Sequence, residues 1–163
     1  MYLVSACLAG FNTRYDGTNC LDERVKELVL SGKALPVCPE QLGGLTTPRP
    51  PVEFSSGDGA SILDSWLDGE KKIFIRVFCC IAGGKPGPVD DAFITKALIK
   101  GAEETLRLAR AYGIKKAIFK DGSPSCGAGY VHSGGQRRPG KGVTAELLGR
   151  EGIEVAGIDS LQR

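Results

Sequence analysis

Short apolar runs of strand length alternate with amphipathic stretches of helix length, and this alternation limits the fold of the 163-residue chain more than any other feature. YLVSACL (2–8), LPVCPE (35–40), IFIRVFCCI (73–81), KKAIFK (115–120) and IEVAGI (153–158) are apolar or branched runs bounded by breakers, as buried strands are. LDERVKELVLSG (21–32) places Leu21, Val25, Leu28 and Val29 on one stripe, with Asp22 and Glu23 at its start and Gly32 just past its end. AFITKALIKGAEETLRLARAYG (92–113) puts Ile94, Leu98, Ala102, Ala109 and Tyr112 on one face. Asp90 or Asp91 can cap that helix, Gly113 ends it, and Glu103–Arg107 adds an i,i+4 pair. GVTAELLGREG (142–152) reads as a shorter helix. The alternation implies an α/β, Rossmann-like fold: three layers, with a mostly parallel central sheet and helices on both faces.

QLGGLTTPRPPVEF (41–54) has too many Gly and Pro for regular structure and reads as an ordered loop. The 20-residue DGSPSCGAGYVHSGGQRRPG (121–140) reads the same way, and loops of such length in compact domains are usually functional or disordered. Residues 55–90 yield only a turn with a short element at GDGASILDSW (57–66), the strand run above and the breaker run GGKPGP (83–88). One domain over residues 1–163 is expected from this length.

MYLVSACLAG lacks the basic region of a secretory signal, and no apolar stretch approaches the ~18 residues of a membrane span. A cytoplasmic protein is therefore expected, in a compartment where thiols stay reduced. There the six cysteines are metal ligands, nucleophiles or small core residues rather than a disulfide framework. The formal net charge is only +2, yet residues 107–141 hold eight basic residues against one acid, Asp121. Such a field attracts an anionic substrate or a nucleic acid, or else is a solvated face.

Cys7, Cys38 and Cys126 each fall at, or shortly beyond, the carboxyl end of an expected strand, where ligands bind in parallel α/β sheets. No two cysteines have the C-x-x-C spacing of a zinc knuckle or thioredoxin-like dithiol, so any metal site must be assembled from distant loops. Three thiolates without a fourth would suit a metal centre with one exchangeable position; isolated buried cysteines also serve as small hydrophobes.

The segments around these cysteines are more specific than their spacing. SACLAG (5–10), RYDG (14–17), PVCPEQLGGL (36–45), PRPPVE (48–53), SPSCG (123–127) and GKGVTAELL (140–148) occur in this order over nearly the whole chain. Together they resemble the thiouracil desulfidase family, long known as domain of unknown function 523. The resemblance implies that Cys7, Cys38 and Cys126 hold a 4Fe-4S cluster with one iron not ligated by protein. It further implies non-redox removal of sulfur from thiouracil or a related thiolated pyrimidine: the free iron takes up the thiocarbonyl sulfur, water replaces it and sulfide leaves. The family's acid/base groups would fall on Glu40 and Ser123, with Ser125 the competing serine.

Beside that resemblance, soft iron suits soft sulfur, and Glu40 could activate water if burial makes it more basic. Ser123 could orient the base, relay a proton or donate to the ring carbonyl. Arg14 and Asp16 suit an ion pair shaping the first loop, or a substrate contact. Arg49 suits a loop anchor or a substrate contact, and Gly43 and Gly44 a close approach of backbone to cluster or substrate. His132, the lone histidine, could transfer protons. Cys20, Cys79 and Cys80 match no ligand position and read as core or incidental thiols. The alternative function is a nucleotide- or RNA-binding protein with a basic 107–141 face and structural cysteines, free or around zinc; nucleic acid is the less favoured partner.

Overall fold

The structure, a computed structural model, describes residues 1–70, 72, 74–77 and 90–158. Cys79, Cys80 and the breaker run 83–88 lie outside the described residues. The strands are β1 (Tyr2–Ser5), β2 (Ala34–Val37), β3 (Val52–Phe54), β4 (Ile75–Val77), β5 (Lys116–Phe119), β6 (Tyr130–Ser133), β7 (Gln136–Pro139) and β8 (Glu154–Gly157). The helices are α1 (Glu23–Leu30), α2 (Pro39–Leu42), α3 (Gly59–Leu67), α4 (Asp91–Ala111) and α5 (Val143–Arg150).

The central sheet runs β2-β1-β5-β8 with every pairing parallel. Side chains alternate across it, as the twofold period of a strand requires. Val4, Ile118 and Ala34 pack with Val25 and Leu28 of α1 on one face. Leu3, Ala117 and Phe119 pack with Leu106 and Ala109 of α4 and with Ala145 and Leu148 of α5 on the other. Each of these large apolar side chains contributes about 1.5–3 kcal/mol by leaving water. The three-layer α/β arrangement is the one the alternation implied.

Helix starts follow the capping residues. Asp22 accepts the Arg24 N–H at 3.0 Å, and Asp90, rather than Asp91, accepts the Ala92 N–H at 2.9 Å. The stripes are narrower than the periodicity suggested. Leu21 precedes α1 and is 45% exposed; Tyr112 follows α4 and is 59% exposed. Arg107 pairs with Glu104 at 3.5 Å, at i,i+3, rather than with Glu103 at i,i+4.

Three expectations are corrected. β1 ends at Ser5, and residues Ala6–Ala9 form a single 3-10 turn, so Cys7 stands beyond the strand. The stretch 41–54 is not all loop: α2, which starts at Pro39 inside the run 35–40 expected as strand, extends to Leu42, and Val52–Phe54 form β3. The stretch 121–140 contains the hairpin β6–β7, closed through Gly134 and Gly135.

These additional strands belong to a second sheet, β4-β3-β6-β7, in which only β3 and β6 run parallel. It buries Phe54, Ile75 and Val131 against Ile62 and Leu63 of α3 and Ile94 and Leu98 of α4. The exposed face of β7, QRRP, has no apolar residue besides proline, which is why its period-two signal was invisible.

Gly43 and Gly101 set the distance between α2 and α4. A β-carbon on Gly43 would lie 2.0 Å from the Ala97 carbonyl oxygen, and one on Gly101 2.0 Å from that of Pro39. The close approach expected of Gly43 is therefore to α4, not to the cluster or substrate. It presses the turn that carries Cys38 and Glu40 against the longest helix described.

Candidate functional site

In the order β2-β1-β5-β8, the chain leaves β1 for β2 on one side and leaves β5 toward β8 on the other, and a crevice opens between the carboxyl ends of β1 and β5. A cavity of about 350 Å³ lies there, lined by Cys7 beyond β1, Cys38 beyond β2 and Cys126 beyond β5. Glu40, Arg49, Glu53, Lys120, Ser123 and His132 line it as well. The cysteines that the sequence placed at strand ends are thus brought together, along with the acid and the first serine.

Cys126 sits in the turn Ser123-Pro124-Ser125-Cys126, which is braced from three sides. Ser123 Oγ accepts the N–H groups of Ser125 and Cys126, both at 3.1 Å. Helix α5 begins at Gly142 without a side-chain cap; its unpaired N–H groups instead reach the turn, from Val143 to Pro124 O at 2.8 Å and from Thr144 to Ser125 O at 3.0 Å. Asp121 Oδ1 accepts from the backbone of Ala128, Gly129 and Tyr130 on the far side. This explains why SPSCG and GKGVTAELL belong to one constellation: the second segment supplies the donors that fix the first.

Ser125 does not face the cavity. It is fully buried and shares a hydrogen bond of 3.0 Å with Thr144 Oγ1, so its role as a competing serine is structural.

Glu40 and Ser123 meet. The Ser123 hydroxyl donates to Glu40 Oε1 at 3.2 Å, while Glu40 Oε2 receives Arg49 Nε and Nη2, each at 2.6 Å. The pair is largely withdrawn from water, with side-chain exposures of 7% for Arg49 and 15% for Glu40. Arg49 also donates to Thr13 O at 3.1 Å, Thr46 O at 3.2 Å and Thr47 Oγ1 at 3.0 Å, using the planar fork of its donors fully. Arg49 is therefore an anchor that ties the first loop, the PRPP segment and the catalytic candidate together. Arg14 and Asp16 form the anticipated ion pair at 3.3 Å, and His132 stands at the cavity in edge contact with Tyr130.

The thiols influence one another. Burial pushes the Cys126 thiol up, against a hydrogen bond from the Ser5 hydroxyl, and Cys38 nearby pushes it further. Burial likewise pushes Cys38 up, against the Gln41 N–H at the start of α2. The Cys7 thiol is hydrogen-bonded to the Cys20 sulfur, and this hydrogen bond, followed by burial and the nearness of Cys126, pushes it up. The same bond holds Cys20 down at about 7, with its own burial opposing and Lys120 and Arg14 assisting. Cys20, read as incidental, is thus the immediate neighbour of Cys7; its N–H also bonds Cys7 O at 3.0 Å. Ser5, Cys20, Lys120 and Glu53 had no site role assigned from the sequence, although the SACLAG and PRPPVE motifs contain Ser5 and Glu53.

Among the described residues, no three His, Cys, Asp or Glu side chains are gathered to hold one metal ion. The three cavity thiols instead come from three separate strand ends, which suits a polynuclear centre in which each thiolate meets a different iron. Among the described cysteines, all four are free thiols, and the remaining one, Cys20, does not line the cavity. The donor set fits a cluster with three protein ligands.

The fold and site together define an α/β protein with a three-thiol cavity beside a buried acid–hydroxyl pair. Comparison with known proteins narrows the class. The family model for 2-thiouracil desulfurase matches residues 2–159, and the chain belongs to that family. The uncharacterized protein YbbK of Bacillus subtilis (strain 168) is 37% identical over 164 residues, covering 99% of this chain and 97% of that protein. The solved structure of the 4Fe-4S-dependent thiouracil desulfidase TudS matches with a TM-score of 0.72 and 36% identity, covering 98% of this chain and 91% of that one.

Proposed function

We propose that this chain is a single-domain cytoplasmic enzyme that removes sulfur, without net redox change, from thiouracil or a closely related thiolated pyrimidine. A 4Fe-4S cluster is held by Cys7, Cys38 and Cys126. The observation that carries this reading is the joining of those three thiols and the Glu40–Ser123 pair on one cavity, in a family member 36% identical to a 4Fe-4S-dependent thiouracil desulfidase.

When bound, the cluster supplies a soft, Lewis-acidic iron without a protein ligand, matched to thiocarbonyl sulfur. The protein's own groups handle position and protons. Glu40 Oε1 is the proton acceptor, because Arg49 occupies Oε2 and leaves Oε1 turned to Ser123. Ser123 relays: its hydroxyl proton is aimed at Glu40, and its oxygen is held by two backbone N–H groups that steady negative charge as the proton moves. A water attacking the thiocarbonyl carbon delivers its proton through Ser123 to Glu40, and the same path returns a proton to the leaving sulfur. The low exposure of Arg49 and Glu40 keeps bulk water from competing.

Several basic residues of 107–141 are paired rather than free for phosphates: Arg110 with Glu151, Lys116 with Glu154 at 3.3 Å, and Arg107 with Glu104 at 3.5 Å. This favours the small-molecule reading over the nucleic-acid one. Among the described residues no helix is long and apolar enough to cross a membrane. Anaerobic reconstitution followed by a sulfide-release assay on 2-thiouracil tests the proposal. Stoichiometric uracil and sulfide are expected; a fully loaded protein that leaves every thiolated pyrimidine intact contradicts it.

A further inference from the structure

Among the described residues, one buried side-chain oxygen or nitrogen has no hydrogen-bond partner: Oε1 of Glu53. Glu53 sits in the middle of β3 and lines the same cavity as the three thiols. Its register partner across the antiparallel pair with β4 is Arg76, yet no ion pair joins them. A buried polar group without a partner costs about 1–3 kcal/mol, and a charged one more, so such a group in a native fold calls for a specific explanation.

The neighbouring groups do not supply a partner. Arg49 is committed to Glu40, Arg14 to Asp16, and Lys120 Nζ donates to Asp121 O at 2.9 Å. The cavity therefore contains two carboxylates with different duties. Glu40 has both oxygens engaged by protein, whereas Glu53 holds one acceptor in reserve.

We propose that Glu53 selects the base: its Oε1 accepts the N3–H of a uracil-type ring. The inference rests on the desulfidase reading above and deepens it to substrate discrimination. N3 lies between C2 and C4 in a pyrimidine, so its N–H flanks the thiocarbonyl whichever of these carbons bears sulfur. An ionised carboxylate only accepts hydrogen bonds. It therefore favours rings whose N3 carries a proton and opposes cytosine-type rings, whose N3 presents a lone pair. A site built to bond an N–H rejects near-isosteres that lack it by leaving its own polar group unpaired.

The test compares 2-thiouracil with 2-thiocytosine, which are nearly equal in size, on cluster-loaded wild type and Glu53→Gln, with iron and acid-labile sulfide measured on both. Wild type should favour 2-thiouracil by at least ~100-fold in kcat/KM. Glu53→Gln, whose amide can turn to donate, should narrow that ratio at least ~10-fold with cluster content unchanged. Calorimetric binding of uracil and cytosine to the same holoproteins provides a readout without turnover, and the preference for uracil should shrink in parallel. Equal affinity of wild type for uracil and cytosine overturns the proposal without need of a variant. So does a ratio that Glu53→Gln leaves unmoved. If wild type binds uracil selectively through Glu53 but releases no sulfide, the desulfidase reading fails and the base selection stands.

Discussion

The Ser123 hydroxyl reaches Glu40 Oε1 at 3.2 Å from 83 positions along the chain, while Arg49 holds the other carboxylate oxygen. The relationship joins the turn after β5 to the turn after β2 across the mouth of the central sheet. Ser123→Ala removes the relayed proton without removing a thiol. Its kcat on 2-thiouracil, counted per loaded cluster, should fall by about 10²-fold or more, the usual worth of one acid/base group. Steady-state sulfide release beside iron analysis checks this.

Arg49→Met leaves Glu40 buried and unpaired. Breaking a buried pair from one side costs about 3–5 kcal/mol, so the denaturant midpoint of the variant should fall sharply. Adding Glu40→Gln to Arg49→Met should recover a large part of that loss, although activity stays absent. A double variant no more stable than the single one would mean that the cost lies in the contacts of Arg49 with Thr13, Thr46 and Thr47 instead.

Gly43→Ala brings a methyl group to within 2.0 Å of the Ala97 carbonyl, where no rotamer change relieves it. The helices must separate, so overpacking should destabilise by about 1–3 kcal/mol despite the better helix propensity of Ala. Urea unfolding checks the stability. Cluster retention should also drop, because Cys38 rides on the same turn.

The parts of the fold written in hydrophobic period were legible: the central strands, α1, α4 and α5, and the convergence of Cys7, Cys38 and Cys126. What stayed hidden is encoded otherwise. The strand β7 is polar and exposed, and β3 follows a proline pair, so neither shows an apolar alternation. Arg49 offered two readings because its partner, Glu40, is fixed by a loop path that no spacing rule predicts. Ser5 and Cys20 act on Cys126 and Cys7 through hydrogen bonds of the folded chain, which composition cannot reveal. The competing serine, Ser125, could not be separated from Ser123 by sequence for a related reason: adjacent residues in a tight turn diverge, and Ser125 turns inward to Thr144.

Asp22 supplies a pH signature outside the site. Its carboxyl is held below the ordinary range, chiefly by Arg24, while burial opposes. A depressed folded-state value means stability that is present above the unfolded value and is lost as pH falls through the folded one. Asp22→Asn keeps a capping acceptor but no charge, so wild type should be more stable by at most ~1 kcal/mol at neutral pH, given the exposed Arg24. The gap between the two curves should close only at pH values below the ordinary Asp range, as the depressed folded-state carboxyl takes up its proton. Thermal melts over that range check the sign.

Iron and acid-labile sulfide per chain, measured after anaerobic reconstitution of wild type and of the Cys7→Ala, Cys38→Ala, Cys126→Ala and Cys20→Ala variants, test the central claim most directly. About four irons and four sulfides are expected for wild type and for Cys20→Ala, and a loss of most of both in each of the other three. Wild-type content in any one of those three variants, or zinc alone in the reconstituted wild type, would contradict it.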